Sequence, residues 1–475
     1  MYKDSLIYFS STFSTILINF ISLPFFTRYL SLSDYGIIAL FIIFGSTLTS
    51  LLSFGLSQAL FRFYFKYDFD RTKILFSSII FFLLIIFVIG FLCLYPFTNF
   101  LNNSLFKSSL SHELILFSFI NGCVIYFYNY NKTLLVAEKK AAKVSILLII
   151  QSLLNLMISF YLIYFENFTY MAIIYGVSIS NLIVLVLAFL YNYNFYTIKL
   201  SLNEIKAALK YSYPESPGIA IGLLYSSFDK FMLTNVNGLK ETGLYDFGFR
   251  FATISKLIMD ALSQSWNPLF MQNVQEKTNN SLEQLKNKFQ ELFFIIGFFC
   301  IAVSFFTEEA LMILTTQEFF AAKYLVPALV IYYFSSTFSF MSVQQIYFSG
   351  KLIYNLPVNF FGLLVNLIMN IILIPIYGAF GAVIATITAS SIQIALNLYI
   401  GNKVCPINYG LKRILYIFAI ISLIILLAYP IMFYIDNIII KFVIKLLIII
   451  SFVLIIYFYR LLNFQEIKKE FIKNI

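Results

Sequence analysis

Fourteen apolar stretches, each long enough to cross a lipid bilayer, follow one another along almost the whole 475-residue chain. A helix needs about 20 apolar residues to span the hydrocarbon core, and only helices and closed barrels satisfy their backbone polar groups in lipid. The stretches are continuous and do not alternate with polar residues, so they predict helices rather than barrel strands. We therefore expect an all-α polytopic membrane protein with spans at 6–26, 35–60, 74–97, 114–136, 144–165, 170–191, 213–235, 243–267, 289–313, 324–348, 356–376, 379–400, 413–434 and 441–462.

The composition excludes a soluble protein, because 61% of the residues are hydrophobic and only 11% are charged, whereas soluble domains carry about 25% charge. The net charge of +10 does not indicate nucleic-acid binding, since the positive residues are scattered over many short joints. The four cysteines are far apart and the single histidine has no ligand neighbours. We expect no metal, no redox cofactor and no enzymatic site.

The joints between spans differ in charge. Most of the 32 Lys and Arg residues lie in alternate joints: the N-terminus, 61–73, 132–143, 192–212, 269–288, 349–355, 401–413 and the tail from Arg460. Because cytoplasmic joints carry an excess of Lys and Arg, this pattern predicts that both termini are cytoplasmic, which requires an even number of spans.

A weak internal repeat suggests two lobes of six spans. Residues 55–59 (GLSQA), near the end of span two, resemble residues 261–265 (ALSQS), near the end of span eight. Six spans is an even number, so the two lobes would have the same orientation in the membrane. The predicted organisation is an N-terminal lobe at 1–198, a cytoplasmic amphipathic linker at 199–212, a C-terminal lobe at 213–402, and two extra spans with a cytoplasmic tail at 403–475.

Spans seven and eight are expected to hold most of the charge inside the membrane. Ionisable residues within spans are costly and mark a transport pathway or a pairing site. Two interpretations remain open, a cationic cavity for an anionic group and salt bridges between helices. The candidates are Asp229, Lys230, Asp246, Arg250, Lys256 and Asp260.

Arg28 follows Pro24 at the end of span one, and proline bends a helix; this region is a candidate hinge. Three polar residues within spans, Asn19, Gln58 and Gln264, are candidates for contacts with sugar hydroxyls or for hydrogen bonds between helices.

We expect Trp266 to be an interfacial anchor. Glu308 and Glu309, near the outer end of span nine, are expected to be solvated.

Four segments resemble one known family of transporters. Residues 24–36 (PFFTRYLSLSDYG) are similar to the family's opening, and residues 370–386 (NIILIPIYGAFGAVIAT) to its eleventh-to-twelfth-span hairpin. Residues 213–217 (YPESP) with 227–233 (SFDKFML), and residues 242–245 (TGLY) with Arg250, resemble its seventh and eighth spans. The family is the Wzx-type polysaccharide flippases, in the superfamily that also holds MATE exporters and the lipid II flippase.

The resemblance implies a two-lobe bundle in the bacterial inner membrane that moves undecaprenyl-diphosphate-linked oligosaccharide to the periplasmic leaflet by alternating access. The surface glycan would be O-antigen, capsule or a similar polysaccharide, and the polymerase and chain-length components would be further partners besides membrane lipids. Arg28, Lys230 and Arg250 would line the central cavity, with Lys256 and the three polar residues as further substrate contacts. Lys230 stands where Arg is more usual.

Asp229, Asp246 and Asp260 are the candidate carriers of a coupling proton or sodium ion. Two other functions stay open. A MATE-like small-molecule exporter predicts a net acidic cavity, whereas the charges within the spans balance or are slightly basic. A membrane glycan polymerase predicts a long outer loop, and the outer joints are short.

Overall fold

The computed structural model describes residues 2–106, 110–213, 216–276 and 278–458. These ranges contain eighteen α-helices, joined by short turns and brief 3-10 segments, and no strand. The predicted all-α class is therefore confirmed. Pro214 and Glu215, which belong to the span-seven motif, and the predicted tail from Arg460 lie outside the described residues.

The chain divides into two compact units. The first consists of Met1–Phe247, Ile313–Phe319 and Leu363–Ala385, and the second consists of the remaining segments. The lobe boundaries predicted from the repeat stay a prediction. Helices that begin in the first unit are α1 Tyr2–Phe26, α2 Leu32–Leu52, α3 Leu56–Tyr64, α4 Phe69–Leu105, α5 His112–Ala137, α6 Ala141–Tyr164, α7 Tyr170–Tyr191, α8 Leu202–Ser212, α9 Ser216–Asn237 and α10 Leu239–Glu276.

The second unit takes the part of α10 from Gly248 onward and most of the later helices. Residues Leu363–Ala385, which include the end of α14 and the start of α15, belong to the first unit. The later helices are α11 Asn279–Leu314, α12 Val326–Ser336, α13 Ser339–Phe348, α14 Asn355–Tyr377, α15 Ala379–Val404, α16 Leu411–Leu426, α17 Ala428–Tyr434 and α18 Ile438–Phe458.

The protein is a multi-pass membrane protein. In the described part of the chain, nine helical segments are long and apolar enough to cross a bilayer, and Ser10–Phe26 is a shorter apolar helix. Large apolar side chains are exposed along these helices, as at Leu92 and Met157. Such exposure suits lipid contact, because hydrocarbon tails solvate apolar side chains as well as a protein core does.

Three predicted spans are interrupted. Span 35–60 breaks between α2 and α3, where Phe54 and Gly55 have φ of 49° and 69°. A left-handed backbone conformation ends a helix, and a residue with a side chain as large as that of Phe rarely adopts it. Spans 324–348 and 413–434 are also split, into α12 and α13 and into α16 and α17.

Within the first unit, α2 and α5 approach each other closely at glycine positions. A Cβ atom on Gly45 would overlap the carbonyl oxygen of Ser118, and a Cβ on Gly122 would overlap that of Gly45. The hydroxyl of Ser118 donates a hydrogen bond to the carbonyl of Phe41. Small residues that let backbones approach are typical of helix contacts in membranes.

The predicted amphipathic helix is present as α8, and it packs on α3 and α4 of the first unit. Its apolar face is buried through Ile205 and Ala208, whereas Leu202 is 74% exposed. The side chain of Ser201 accepts a hydrogen bond from the backbone of Glu204 at the start of the helix. The Nε of Arg71 on α4 lies 2.8 Å from the carboxylate of Glu204.

The expectation that Trp266 is an interfacial anchor is wrong. Trp266 lies in the core of the second unit with 1% of its surface exposed. Its indole N–H donates to the carbonyl oxygen of Phe340 at 2.6 Å, and its ring packs against Phe270 and Phe289. A buried indole needs a partner for its single donor, and this one has it.

Candidate functional site

The charged residues of α9 and of the start of α10 face each other across a helical hairpin. Gly238, at a φ of 92°, separates the two helices. The ammonium of Lys230 donates to Oδ1 of Asp246 at 2.5 Å, and the phenol of Tyr245 donates to Asp229. These contacts connect the two helices at successive levels of the hairpin, within the first unit.

Both carboxylates of the hairpin are buried, with 5% of Asp229 and 8% of Asp246 exposed. The side chain of Lys230 is 14% exposed, and its backbone N–H donates to Asp229 at 2.8 Å. A charge buried without a partner is strongly destabilising, so these hydrogen bonds are what allow the carboxylates to remain in the bundle. The structure therefore unites three of the candidates: Asp229, Lys230 and Asp246.

Three other candidates lie on the part of α10 that belongs to the second unit. The side chains of Arg250, Lys256 and Asp260 are exposed, and Lys256 is the charged group that interacts with Asp260. The side chain of Gln264 lies outside the described part of the chain.

The remaining candidates belong to the first unit. Arg28 lies two residues after the end of α1, and Pro24 lies inside the final turn of that helix. The side chains of Arg28, Asn19 and Gln58 are exposed. Next to Arg28, the hydroxyl of Thr27 donates to the carbonyl of Leu23 at 2.8 Å, which satisfies an acceptor near the helix end.

The second unit holds a further group of charges, and the expectation that Glu308 and Glu309 are solvated is wrong for Glu308. This group, the five-charge cluster, consists of Glu308, Glu309, Lys323, Lys441 and Lys445. Glu308 is 2% exposed and Lys445 is fully buried. Glu308 accepts from Lys323 at 2.7 Å and from Lys441 at 3.1 Å, and Lys445 donates to Glu309 at 2.7 Å.

Spans seven and eight are therefore not the only charged ones, because Lys441 and Lys445 both lie in α18. Burial by itself lowers the pKa of Lys323, but the hydrogen bond and the negative charge of Glu308 outweigh it and raise that pKa above its usual value. Two signals in the sequence could have indicated the cluster: an adjacent pair of glutamates in span nine, and two lysines four residues apart in span fourteen.

Residues 1–274 match the family described as "Polysaccharide biosynthesis protein". The chain is also similar to protein 1 of the Lsg locus of Haemophilus influenzae, with 21% identity over 364 residues, which cover 74% of this chain and 86% of that protein.

Solved structures share the fold at low sequence identity. The lipid II flippase MurJ, in an inward closed conformation, superposes with a TM-score of 0.74 at 16% identity and covers 96% of this chain and 99% of that one. An inward-facing multidrug resistance MATE transporter of the MOP superfamily gives 0.65 at 16% identity, over 84% of this chain and 97% of that one. A MOP superfamily transporter from Pyrococcus furiosus gives 0.59 at 15% identity, over 84% and 94%.

The chain thus shares its fold with the lipid II flippase MurJ and with MATE transporters. The matched range covers more than half of the chain and includes Arg28, all of α9, nearly all of α10, and Arg250. The chain belongs to the polysaccharide biosynthesis protein family.

Proposed function

We propose that the protein is a flippase of the Wzx type, which moves an undecaprenyl-diphosphate-linked oligosaccharide across the inner membrane for O-antigen, capsule or a similar surface polysaccharide. The observation that carries the proposal is the family match over residues 1–274, a range that contains the charged hairpin. A polysaccharide assembled from lipid-linked units needs a protein that transfers the polar head group through the bilayer, and this chain has the fold of a transporter.

In this mechanism the cations hold the diphosphate while the head group crosses. Arginine grips phosphate oxygens through two parallel hydrogen bonds, and lysine acts as a point charge. The proposed contacts to the anionic group are Arg28, Lys230, Arg250 and Lys256. Asn19, Gln58 and Gln264 are the proposed contacts to sugar hydroxyls.

The pair formed by Lys230 and Asp246 gives the hairpin a second role in the proposal. The ammonium of Lys230 already donates to a carboxylate at 2.5 Å, so an incoming phosphate would compete with Asp246 for it. Protonation of Asp246 would release Lys230 for the substrate. Asp229, Asp246 and Asp260 are the proposed carriers of a coupling proton or sodium ion, which would link an ion gradient to transport.

Alternating access would proceed by rocking of the proposed lobes, 1–198 and 213–402, with the prenyl tail remaining in lipid. The charge pattern of the joints supports cytoplasmic termini. The polymerase and chain-length proteins of the same pathway are the proposed partners.

A small-molecule exporter is the second candidate, and the buried carboxylates Asp229 and Asp246 favour it. Such carboxylates can attract a cationic drug as well as a proton. In the present hairpin, however, one carboxylate is neutralised by Lys230 and the other accepts from Tyr245.

Deletion of the gene separates the two candidates. We expect loss of the surface polysaccharide and accumulation of lipid-linked oligosaccharide on the cytoplasmic face, measured by extraction and by accessibility to a membrane-impermeant glycan label. A deletion strain that makes normal polysaccharide and becomes sensitive to cationic drugs would overturn the flippase proposal in favour of the exporter.

A further inference from the structure

The first unit contains an open pocket of about 560 Å³ that is formed by α3, α5 and α8. Its volume falls within the range of about 300–1,000 Å³ that is usual for ligand pockets. The wall combines two cations, several hydroxyl and amide groups, and aromatic rings. The lining residues are Ser57, Gln58, Phe61, Arg62, Lys132, Thr133, Val136 and Tyr211.

The two cations of this pocket, Arg62 and Lys132, are held by aromatic rings rather than by carboxylates. The guanidinium carbon of Arg62 lies 4.2 Å from the ring centre of Tyr211, and the ammonium of Lys132 lies 5.3 Å from that of Tyr128. Among the residues that the structure describes, no carboxylate lies within ion-pair distance of either cation.

This arrangement leaves the binding capacity of both groups available. A guanidinium that lies over an aromatic ring uses its face for that contact. Its N–H groups, which point outward in the guanidinium plane, can still donate two parallel hydrogen bonds to phosphate oxygens. Lys132 is half-buried, and a partly desolvated cation without a counter-charge attracts an anion more strongly than a solvated one does.

A second pocket of about 450 Å³ lies on the same surface helix. It is lined by Phe54, Phe82 and Ile86 together with Leu209, Lys210 and Tyr213. Leu209 and Lys210 therefore line an apolar pocket, and the next residue, Tyr211, lines the cationic one. A pocket that holds two cations and a pocket with an apolar wall both border α8, and these are the two kinds of surface that the head and the chain of an anionic amphiphile need.

We propose that the pocket around Arg62 and Lys132 is a loading site, where the diphosphate of a prenyl-linked substrate binds before it enters the transport pathway. Both cations lie in joints that the distribution of Lys and Arg predicts to be cytoplasmic, the side on which such a substrate would be made. Gln58 and Thr133 supply hydrogen bonds beside the diphosphate, and Phe61 supplies an apolar surface for a sugar ring. The inference rests on the proposed function, although it concerns a pocket separate from the hairpin of α9 and α10.

The test uses the full-length protein in phosphatidylcholine nanodiscs with farnesyl diphosphate as the probe. Each charge-assisted hydrogen bond lost should weaken binding about tenfold, so Arg62→Ala and Lys132→Ala should each show this loss and the double variant a larger one. Arg62→Lys should retain part of the affinity, because it keeps the charge and loses the fork. The control is Lys66→Ala, which removes an exposed cation one turn further along the chain and outside the pocket.

Equal affinity of the wild type and the Arg62→Ala/Lys132→Ala variant would overturn the proposal. Nanodiscs containing phosphatidylglycerol identify the source of the phosphate. If this lipid leaves the affinity for the probe unchanged, the site is selective for a diphosphate, as proposed; if it displaces the probe at membrane concentrations, the pocket binds bulk anionic lipid and the loading role is wrong.

The two proposals can fail separately. If the double variant loses binding while the deletion strain makes normal polysaccharide, the flippase function fails and the diphosphate pocket stands. If the deletion strain loses polysaccharide while the double variant binds the probe normally, the pocket alone is wrong.

Discussion

The ammonium of Lys445 lies 2.7 Å from Oε1 of Glu309, and this pair joins α18 to α11 in the interior of the second unit. Lys445 also lies 3.6 Å from Glu308, which in turn accepts hydrogen bonds from Lys323 and Lys441. Lys445 is the ammonium that donates to Glu309, so its removal takes this partner away from a largely buried carboxylate. The cluster is therefore a point where single substitutions should have large effects.

Lys445→Ala should destabilise the protein by about 3–5 kcal/mol, the cost of breaking a buried ion pair. The apparent melting temperature of the detergent-solubilised protein should fall clearly, whereas Lys412→Ala, which removes an exposed cation of the same unit, should leave it unchanged. If the two variants melt together, the five-charge cluster does not stabilise the fold.

Gly45→Ala should destabilise the first unit, because its Cβ would overlap the backbone of Ser118 on α5. Overpacking of this kind costs about 1–3 kcal/mol. Gly222→Ala is the matched control, since a Cβ at that position of α9 meets nothing within 4 Å, and it should be neutral or stabilise the protein by about 0.5–1 kcal/mol. Thermal unfolding of both variants checks the prediction, and a Gly45→Ala protein as stable as Gly222→Ala would refute it.

Lys230 distinguishes substrate binding from simple pairing between helices. If its role is only to neutralise Asp246, the exchanged pair Lys230→Asp/Asp246→Lys should restore whatever Lys230→Ala loses. We expect no restoration of export, because the exchange moves the cation to a different helix. Transport is measured as surface polysaccharide at matched protein abundance, and recovery by the exchanged pair would assign Lys230 a purely structural role.

Arg250→Ala should abolish export while the protein still inserts at normal abundance, because Arg250 is exposed and its proposed role is contact with the diphosphate. Arg250→Lys should retain part of the activity, since it keeps the charge but not the two parallel hydrogen bonds. Unchanged export by Arg250→Ala would remove this residue from the proposed pathway.

The helices were predictable because each apolar run has the length that a bilayer requires, and the surface helix α8 was predictable from its amphipathic spacing. The break at Phe54 and Gly55 was missed, although the glycine was a visible signal within an apolar run. A run of apolar residues predicts that a span exists. It does not predict where a change of backbone φ at one or two residues will break the helix within that span.

The charged residues show where sequence reasoning reaches its limit. Asp229, Lys230 and Asp246 were identified because they interrupt apolar runs, yet the partner of Lys230 depended on the packing of α9 against α10. Glu308 and Lys441 are separated by 133 positions; the sequence shows that both are charged residues in or beside apolar runs, but their pairing depends on the packing of α18 against α11. Likewise, Trp266 looked interfacial beside a proline, but its environment is set by helices far along the chain.

The attachment of α8 to α4 has a practical consequence for dividing the protein. The backbone N–H of Ser201 donates to the hydroxyl of Ser78 and that of Thr197 to the hydroxyl of Ser77, both at 2.9 Å, and Arg71 holds Glu204. The segment from Thr197 to Glu204 is thus hydrogen-bonded to α4 and is not a flexible linker. In a gene split for co-expression of two polypeptides, the surface helix should therefore stay with the N-terminal fragment that anchors it, and a cut before Ser201 should expose the buried face of α8.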